Sequence, residues 1–257
     1  MKFGAGTEYL NIDGAGAGIN LQGYRETLRE AIDMPNEIEV ETGIPAVGTA
    51  AYTPVHGEWA GTIVIRPLNQ DDLDRRTQEY NSRLIAMAHE TRHGIDDLTK
   101  TVRFRNNVEE KIHTEWRAFA TQSAVAWELG ERGQRVEERY LLDIASFASR
   151  EAFMNIRSRM IGTTQSYMRL YKLNPDPSER DAQRFMEQHR DWVDEAVALF
   201  ARLRPREIRE PVAQNLRPAR VDEAGWNGML RAAGWVAGAV ATAIVIRALG
   251  NYFRVFG

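Results

Sequence analysis

Apolar positions recur every three to four residues over about 21–34, which predicts a helix, and the pattern then changes to short β-branched runs at 38–47 and 59–66. The second run contains Thr62-Ile63-Val64-Ile65, and both read as strands joined by a turn-rich piece around Pro54, His56 and Gly57. From 70 to about 98 the helical period returns, with Leu84, Ala88, Ile95 and Leu98 on one stripe. Asp71, Asp72 and Asp74 fall in its first turns, where carboxylates complement the helix dipole. Further helices are predicted over 107–132, from 136 to about 160, and over 178–203, the last set off by Asn174-Pro175-Asp176-Pro177-Ser178. A short β-containing front followed by a long helical remainder predicts an α+β fold, mostly helical.

The two ends of the chain have a different texture. Residues 1–20 are rich in glycine and read as a flexible lead-in; Gly14-Ala15-Gly16-Ala17-Gly18 does not complete a GxGxxG phosphate loop, because Ile19 and Leu21 stand where the third glycine would be. Residues 204–225 combine Pro205, Pro211 and Pro218 with arginines and read as an exposed linker. Residues 226–257 read as an apolar C-terminal helix, whose uncharged run 232–246 lies between Arg231 and Arg247. That run is shorter than the roughly 20 apolar residues of a membrane span. Gly234, Gly238 and Thr242 line up small residues for close helix approach, so 226–249 is a candidate contact with a partner helix or a membrane. The main domain is then 21–203.

Composition narrows the chemistry. The 257 residues hold 33 Lys and Arg against 36 Asp and Glu, which gives no basic excess for phosphate binding, and nucleic acid is not an expected partner. The absence of cysteine removes thiolate zinc sites, catalytic thiols and disulfides together. Any metal must be held by imidazole or carboxylate. The amino terminus, Met1-Lys2-Phe3-Gly4, has no continuous apolar segment of the kind a secretory signal needs, so a cytoplasmic or non-classically exported protein is expected.

Against that background His89-Glu90-Thr91-Arg92-His93 stands out as an HExxH sequence inside the long predicted helix. Histidines at i and i+4 share one helical face and can both reach one ion. The Glu between them is rotated so that its carboxylate can reach a water held by that ion. Ile85, Ala86, Met87 and Ala88 lead into the motif, which places it in a buried stretch where unpaired polar groups are costly.

A catalytic zinc needs a third protein ligand and an open position. On the following helix Ile112, Phe119, Ala126 and Leu129 form a stripe, with Glu115 inside it. A core-facing carboxylate is expensive unless paired or metal-bound, so Glu115 is the expected third ligand. His113 lies off that face, and Asp97, one turn past His93, is suited to orient a ligand.

HExxH at 89–93, then 21 residues, then Glu115-Trp116-Arg117-Ala118-Phe119 resembles the gluzincin zinc metallopeptidases, in which a Glu from a later helix completes the site. The resemblance covers about residues 58–130 and looks closest to minimal metallopeptidase domains of phage, prophage and bacterial toxin systems. It implies a zincin-like core with a short sheet and an active-site helix. It also implies Zn²⁺ on His89, His93 and Glu115, Glu90 as general base, and Thr62-Ile63-Val64-Ile65 as the edge strand that pairs with a peptide substrate. Such enzymes add a Tyr or His for the oxyanion, for which Tyr80, His113, Tyr140 and Tyr167 are open candidates. The metzincin extension is excluded, because Asp96 and Thr99 occupy its Gly and His positions. The rival expectation is a helical structural or interaction protein, docked through 226–249, with a vestigial or structural metal site.

Overall fold

Two short parallel strands, β1 (Lys2–Phe3) and β2 (Ile38–Thr42), are connected through the helix α1 (Gln22–Ile32), and a hairpin of β3 (Ala50–Thr53) and β4 (Gly61–Ile65) follows. The computed structural model describes residues 1–12, 21–34, 37–45, 48–54, 61–99 and 107–204. The strand order is β1-β2-β4-β3, with β4 parallel to β2 and antiparallel to β3. Ile38 and Val40 of β2 and Ile63 and Ile65 of β4 are fully buried on one face, as the period-2 pattern of their strands requires.

The helices are α2 (Gln70–Arg75), α3 (Gln78–Thr99), α4 (Val108–Glu131), α5 (Glu138–Ser146), α6 (Arg150–Met154), α7 (Arg159–Leu170), α8 (Glu179–Gln188) and α9 (Arg190–Leu203). The fold class is α+β with a helical majority, as the sequence pattern predicts. Where one helix is expected over 70–98 there are two. Arg76, at φ 49°, closes α2 in the left-handed conformation before α3 begins. Residues 178–203 likewise divide at His189, into α8 and α9.

Two expectations need correction. Residues 1–12 are not a loose lead-in: Lys2 and Phe3 pair with Glu39 and Val40, Leu10 is fully buried, and the Leu10 carbonyl accepts the Tyr24 hydroxyl at 2.5 Å. The glycines mislead because the buried contacts come from the residues between them. Nor is β4 the edge of the sheet. It is covered on both sides, and the outer strand is β3, in a piece read only as turns. Residues 13–20, the linker from 205 to 225 and the C-terminal segment 226–257 lie outside the described residues. Among those described, no helix is long and apolar enough to cross a membrane.

The described helices and sheet form one compact unit, Met1–Pro205, with two apolar clusters on either side of α4. One joins the sheet, α1 and α3 to Val125 and Leu129; the other joins Ile112 and Trp116 to the C-terminal helices through Phe153, Phe185 and Phe200. Packed on both flanks, α4 has a defined axial position, and its polar residues are held against α3.

That α3–α4 contact is charged at its centre. Arg92, with no exposed surface, makes a two-pronged pair with Glu30 of α1 at 3.0 and 2.9 Å. Asp96 accepts two bonds from Arg117, at 2.9 and 3.0 Å, and Arg117 also pairs with Glu195 of α9. The pairs His89 with Gln122, Arg92 with Thr121 and Asp96 with Arg117 rise on α3 as they fall on α4, so the helices run antiparallel. Directly after the HExxH sequence, Gly94 lets α3 approach the sheet: a Cβ there would lie 3.5 Å from Ile38 Cγ1, with the Ile38 Cδ1 closer still.

Candidate metal centre

His89 and His93 project from one face of α3, as i and i+4 spacing requires, and Glu115 meets them from the first half of α4. The two Nε2 atoms are 3.2 Å apart, and Glu115 Oε2 lies 3.6 Å from His89 Nε2 and 3.5 Å from His93 Nε2. Nitrogen and oxygen ligands bound at about 2.0–2.2 Å in tetrahedral geometry stand roughly 3.3–3.5 Å from one another. The triangle therefore has the dimensions of a zinc face. Among the described residues these three form the only group of His, Asp and Glu side chains close enough to hold an ion.

The donor set also fits the ion chemically. Glu115 Oε2 is buried and has no hydrogen-bond partner, an arrangement that costs free energy unless a cation takes its place. Its other oxygen, Oε1, accepts the Tyr171 hydroxyl at 3.1 Å, which leaves Oε2 as the single oxygen for a metal. Burial raises the Glu115 carboxyl, but the charges and hydrogen bonds of His93 and His89 together hold it well below the usual carboxylate range. Burial would lower His93, yet the charge of Glu115, with Glu90 and Asp96 behind it, pushes it up to about 9. In the absence of a metal, a proton compensates the carboxylate.

The supports of each ligand are specific. His89 stands edge-on to Phe119, with ring centroids 5.1 Å apart, and its Nδ1 lies 3.0 Å from Gln122 Oε1. Tyr167 and Tyr171 stack one turn apart on the Glu115 side, their centroids 5.7 Å apart. Burial first, and the Glu115 charge next, raise both phenols, so their hydroxyls remain protonated donors.

Glu90 points elsewhere, as its rotation on the helix requires. Its Oε2 accepts the backbone N–H of Tyr52 at 2.8 Å. The register explains why that N–H is available. Arg66 N–H donates to Thr49, which makes Thr49, Ala51 and Thr53 the residues that turn toward β4, while Ala50 and Tyr52 direct their N–H and C=O groups to the outer edge. The Tyr52 hydroxyl donates to Asp97 at 3.0 Å, and its ring covers Gly61, where a Cβ would lie 2.8 and 2.9 Å from ring carbons.

The structure thus brings His89, His93, Glu115 and Tyr167 into one neighbourhood, with Glu90 beside it. The other oxyanion candidates are elsewhere. Tyr80 stacks near Tyr9 in the sheet-side core, and Tyr140 receives Arg139. His113 is stacked on Trp192 with Nε2 3.1 Å from Glu195, and burial together with Arg117 lowers it to about 4. Asp97 holds Tyr52, while the His89 ring has Gln122 at its other nitrogen. Tyr52, Gln122 and Tyr171 were not legible as site residues. Two of them carried a signal: Gln122 is seven residues beyond Glu115, and Tyr171 four beyond Tyr167, each on the same helical face.

The chain shows no significant match to any protein-family model, to any curated protein or to any solved structure.

Proposed function

We propose that this chain is a zinc-dependent metallopeptidase of the gluzincin type, acting on a protein or peptide. The observation that carries the proposal is the convergence of His89 Nε2, His93 Nε2 and the buried Glu115 Oε2 at ligand spacing. The outer edge of β3, tied to Glu90, gives an extended peptide a place to pair beside that point.

When bound, zinc supplies a Lewis acid that acidifies water and polarises a carbonyl. His89, His93 and Glu115 hold it. Glu90 takes a proton from the attacking water and returns it to the leaving amine, a transfer between carboxylate and nitrogen that needs its side chain held in one place. The Tyr52 N–H does that holding. Tyr171 keeps Glu115 to one oxygen, and Tyr167, whose protonated hydroxyl also interacts with Glu115, is the donor assigned to a developing oxyanion.

The test is made on the purified full chain. One equivalent of zinc and cleavage of denatured casein are expected, and Glu90→Gln is expected to keep the zinc while turnover falls by about 10²–10⁴-fold. A folded protein that takes up no zinc would end this reading and favour the helical interaction protein, for which removal of residues 222–257 is the disruptive change and Glu90→Gln is silent.

A further inference from the structure

Behind His89, on the side away from the ligand triangle, three polar side chains from three helices form a continuous chain. His89 Nδ1 faces Gln122 Oε1 of α4 at 3.0 Å; Gln122 Nε2 donates to Asp143 Oδ2 of α5 at 3.0 Å; and Asp143 Oδ1 accepts Arg159 Nε at the start of α7 at 2.7 Å. Gln122 is 6% exposed and Asp143 1%. A buried amide and a buried carboxylate cost free energy that an apolar pair of the same shape would not, so their arrangement calls for a purpose.

We infer that Gln122 is a positioning residue that sets which nitrogen of His89 faces the metal, and that Asp143 and Arg159 set Gln122. The inference rests on the zinc reading of the site.

The direction of each bond follows from the chemistry of the groups. Burial raises the Asp143 carboxyl, and the Arg159 guanidinium and the Gln122 amide oppose that rise by favouring the ionised form, which only accepts. Gln122 must therefore turn its NH₂ toward Asp143, which leaves its carbonyl oxygen toward His89. A carbonyl oxygen only accepts, so His89 Nδ1 carries the proton. Neutral imidazole has one N–H, and Nε2 is then a lone pair directed at the triangle with His93 and Glu115. Reversing Gln122 would set a carbonyl against the Asp143 carboxylate, which is repulsive, and would let Nδ1 accept only in the tautomer that puts the proton on Nε2, toward the ligand triangle.

An amide relay differs from a carboxylate placed directly on the ligand. A direct carboxylate orients the imidazole and also adds negative charge to it. Gln122 transmits the orientation, while the charge of Asp143 stays one side chain removed and is matched by Arg159. The same chain ties the start of α7, the helix that carries Tyr167 and is capped by Tyr171, to His89 on α3.

The experiment uses the full chain with histidine labelled in nitrogen-15, metal-free and then titrated with Zn²⁺ against a chromophoric chelator. Long-range proton–nitrogen spectra of the metal-free protein are expected to show His89 as the Nδ1–H tautomer. Gln122→Met, close in shape but unable to accept, is expected to lose that preference and to weaken zinc binding about 10–100-fold. The double change Gln122→Glu with Asp143→Asn, which keeps an acceptor toward His89 and gives it an amide donor from behind, is expected to keep the Nδ1–H tautomer and recover most of the affinity. An Nε2–H tautomer in the unaltered protein overturns the inference without any variant. So does a folded Gln122→Met protein with the original tautomer and affinity. A protein whose His89 is the Nδ1–H tautomer but which binds no zinc removes the proposed function and leaves the orienting role of Gln122 standing.

Discussion

The Tyr52 backbone N–H donates to the Glu90 carboxylate at 2.8 Å, and the Tyr52 hydroxyl donates to Asp97 at 3.0 Å, so one residue of the outer strand grips the HExxH helix at two points two turns apart. Only the first bond bears on the proposed general base. Tyr52→Phe, which keeps the N–H, is expected to lower kcat by less than about tenfold, one hydrogen bond's worth. Tyr52→Ala and Tyr52→Pro both lose the ring, but only the second loses the N–H, so kcat of the proline variant is expected to fall further while zinc content stays the same. Equal kcat for the alanine and proline variants would remove the backbone bond from the mechanism.

In the proposed zinc site Tyr171 acts through Glu115. Its hydroxyl occupies Oε1 at 3.1 Å and leaves Oε2 to the ligand triangle. Tyr171→Phe is expected to weaken zinc binding about 10–100-fold, the range for loss of a partner behind a ligand. Tyr167→Phe is expected to act on turnover more than on zinc. Chelator competition and steady-state kinetics on the two variants separate these effects, and identical profiles would contradict the division of roles.

The pH dependence has a defined sign. His93 is raised to about 9 from an ordinary 6.5, so in the metal-free protein its stabilising charge is fully present below 6.5 and is lost as pH rises through 9. Zinc must displace that proton. Below about 9 the apparent zinc affinity is therefore expected to drop roughly tenfold per pH unit for the one proton displaced. Melting curves with and without zinc check both halves: the metal-free protein loses stability toward pH 9 while the zinc-dependent gain grows. A zinc gain that is flat across this interval would count against proton competition at His93.

The buried charges between α3 and α4 are expected to matter for folding rather than for chemistry. Asp96, without exposed surface, is the acceptor for both Arg117 bonds and lies 3.9 Å from Arg92. Asp96→Ala leaves two arginines without their shared partner and is expected to cost about 3–5 kcal/mol in denaturant unfolding. Arg75→Ala breaks only an exposed pair with Asp71 and is expected to leave unfolding within error.

The element types were largely legible along the chain because they depend on local period. The long helices around residues 78–99 and 108–131 carry strong signals, and a histidine pair at i and i+4 is a property of any helix that contains it. The stripe of Ile112, Phe119, Ala126 and Leu129 that contains Glu115 is only part of what α4 buries. Ile112 belongs to one apolar cluster and Leu129 to the other, so α4 is buried on both flanks and a single stripe does not describe it. The carboxylate is costly there because it is a charge without water, whichever flank of α4 it lies on. The outer strand was not legible. Ala50–Thr53 is four residues long and weakly apolar, and its standing as the edge depends on the strand order, which no local pattern encodes.

What belongs to the residues alone is the class of fold and the chemical vocabulary: α+β with a helical majority, no thiols, and two imidazoles with a carboxylate between them on one helix. Tertiary structure brought Glu115 to the two imidazoles, because its distance from His93 depends on how α4 packs antiparallel to α3 between two apolar clusters. It also chose Tyr52, Gln122 and Tyr171, since each meets the site from a different element. Helical period reports the direction in which a side chain leaves its own backbone; which group it then meets is settled by the packing of elements far apart in the chain.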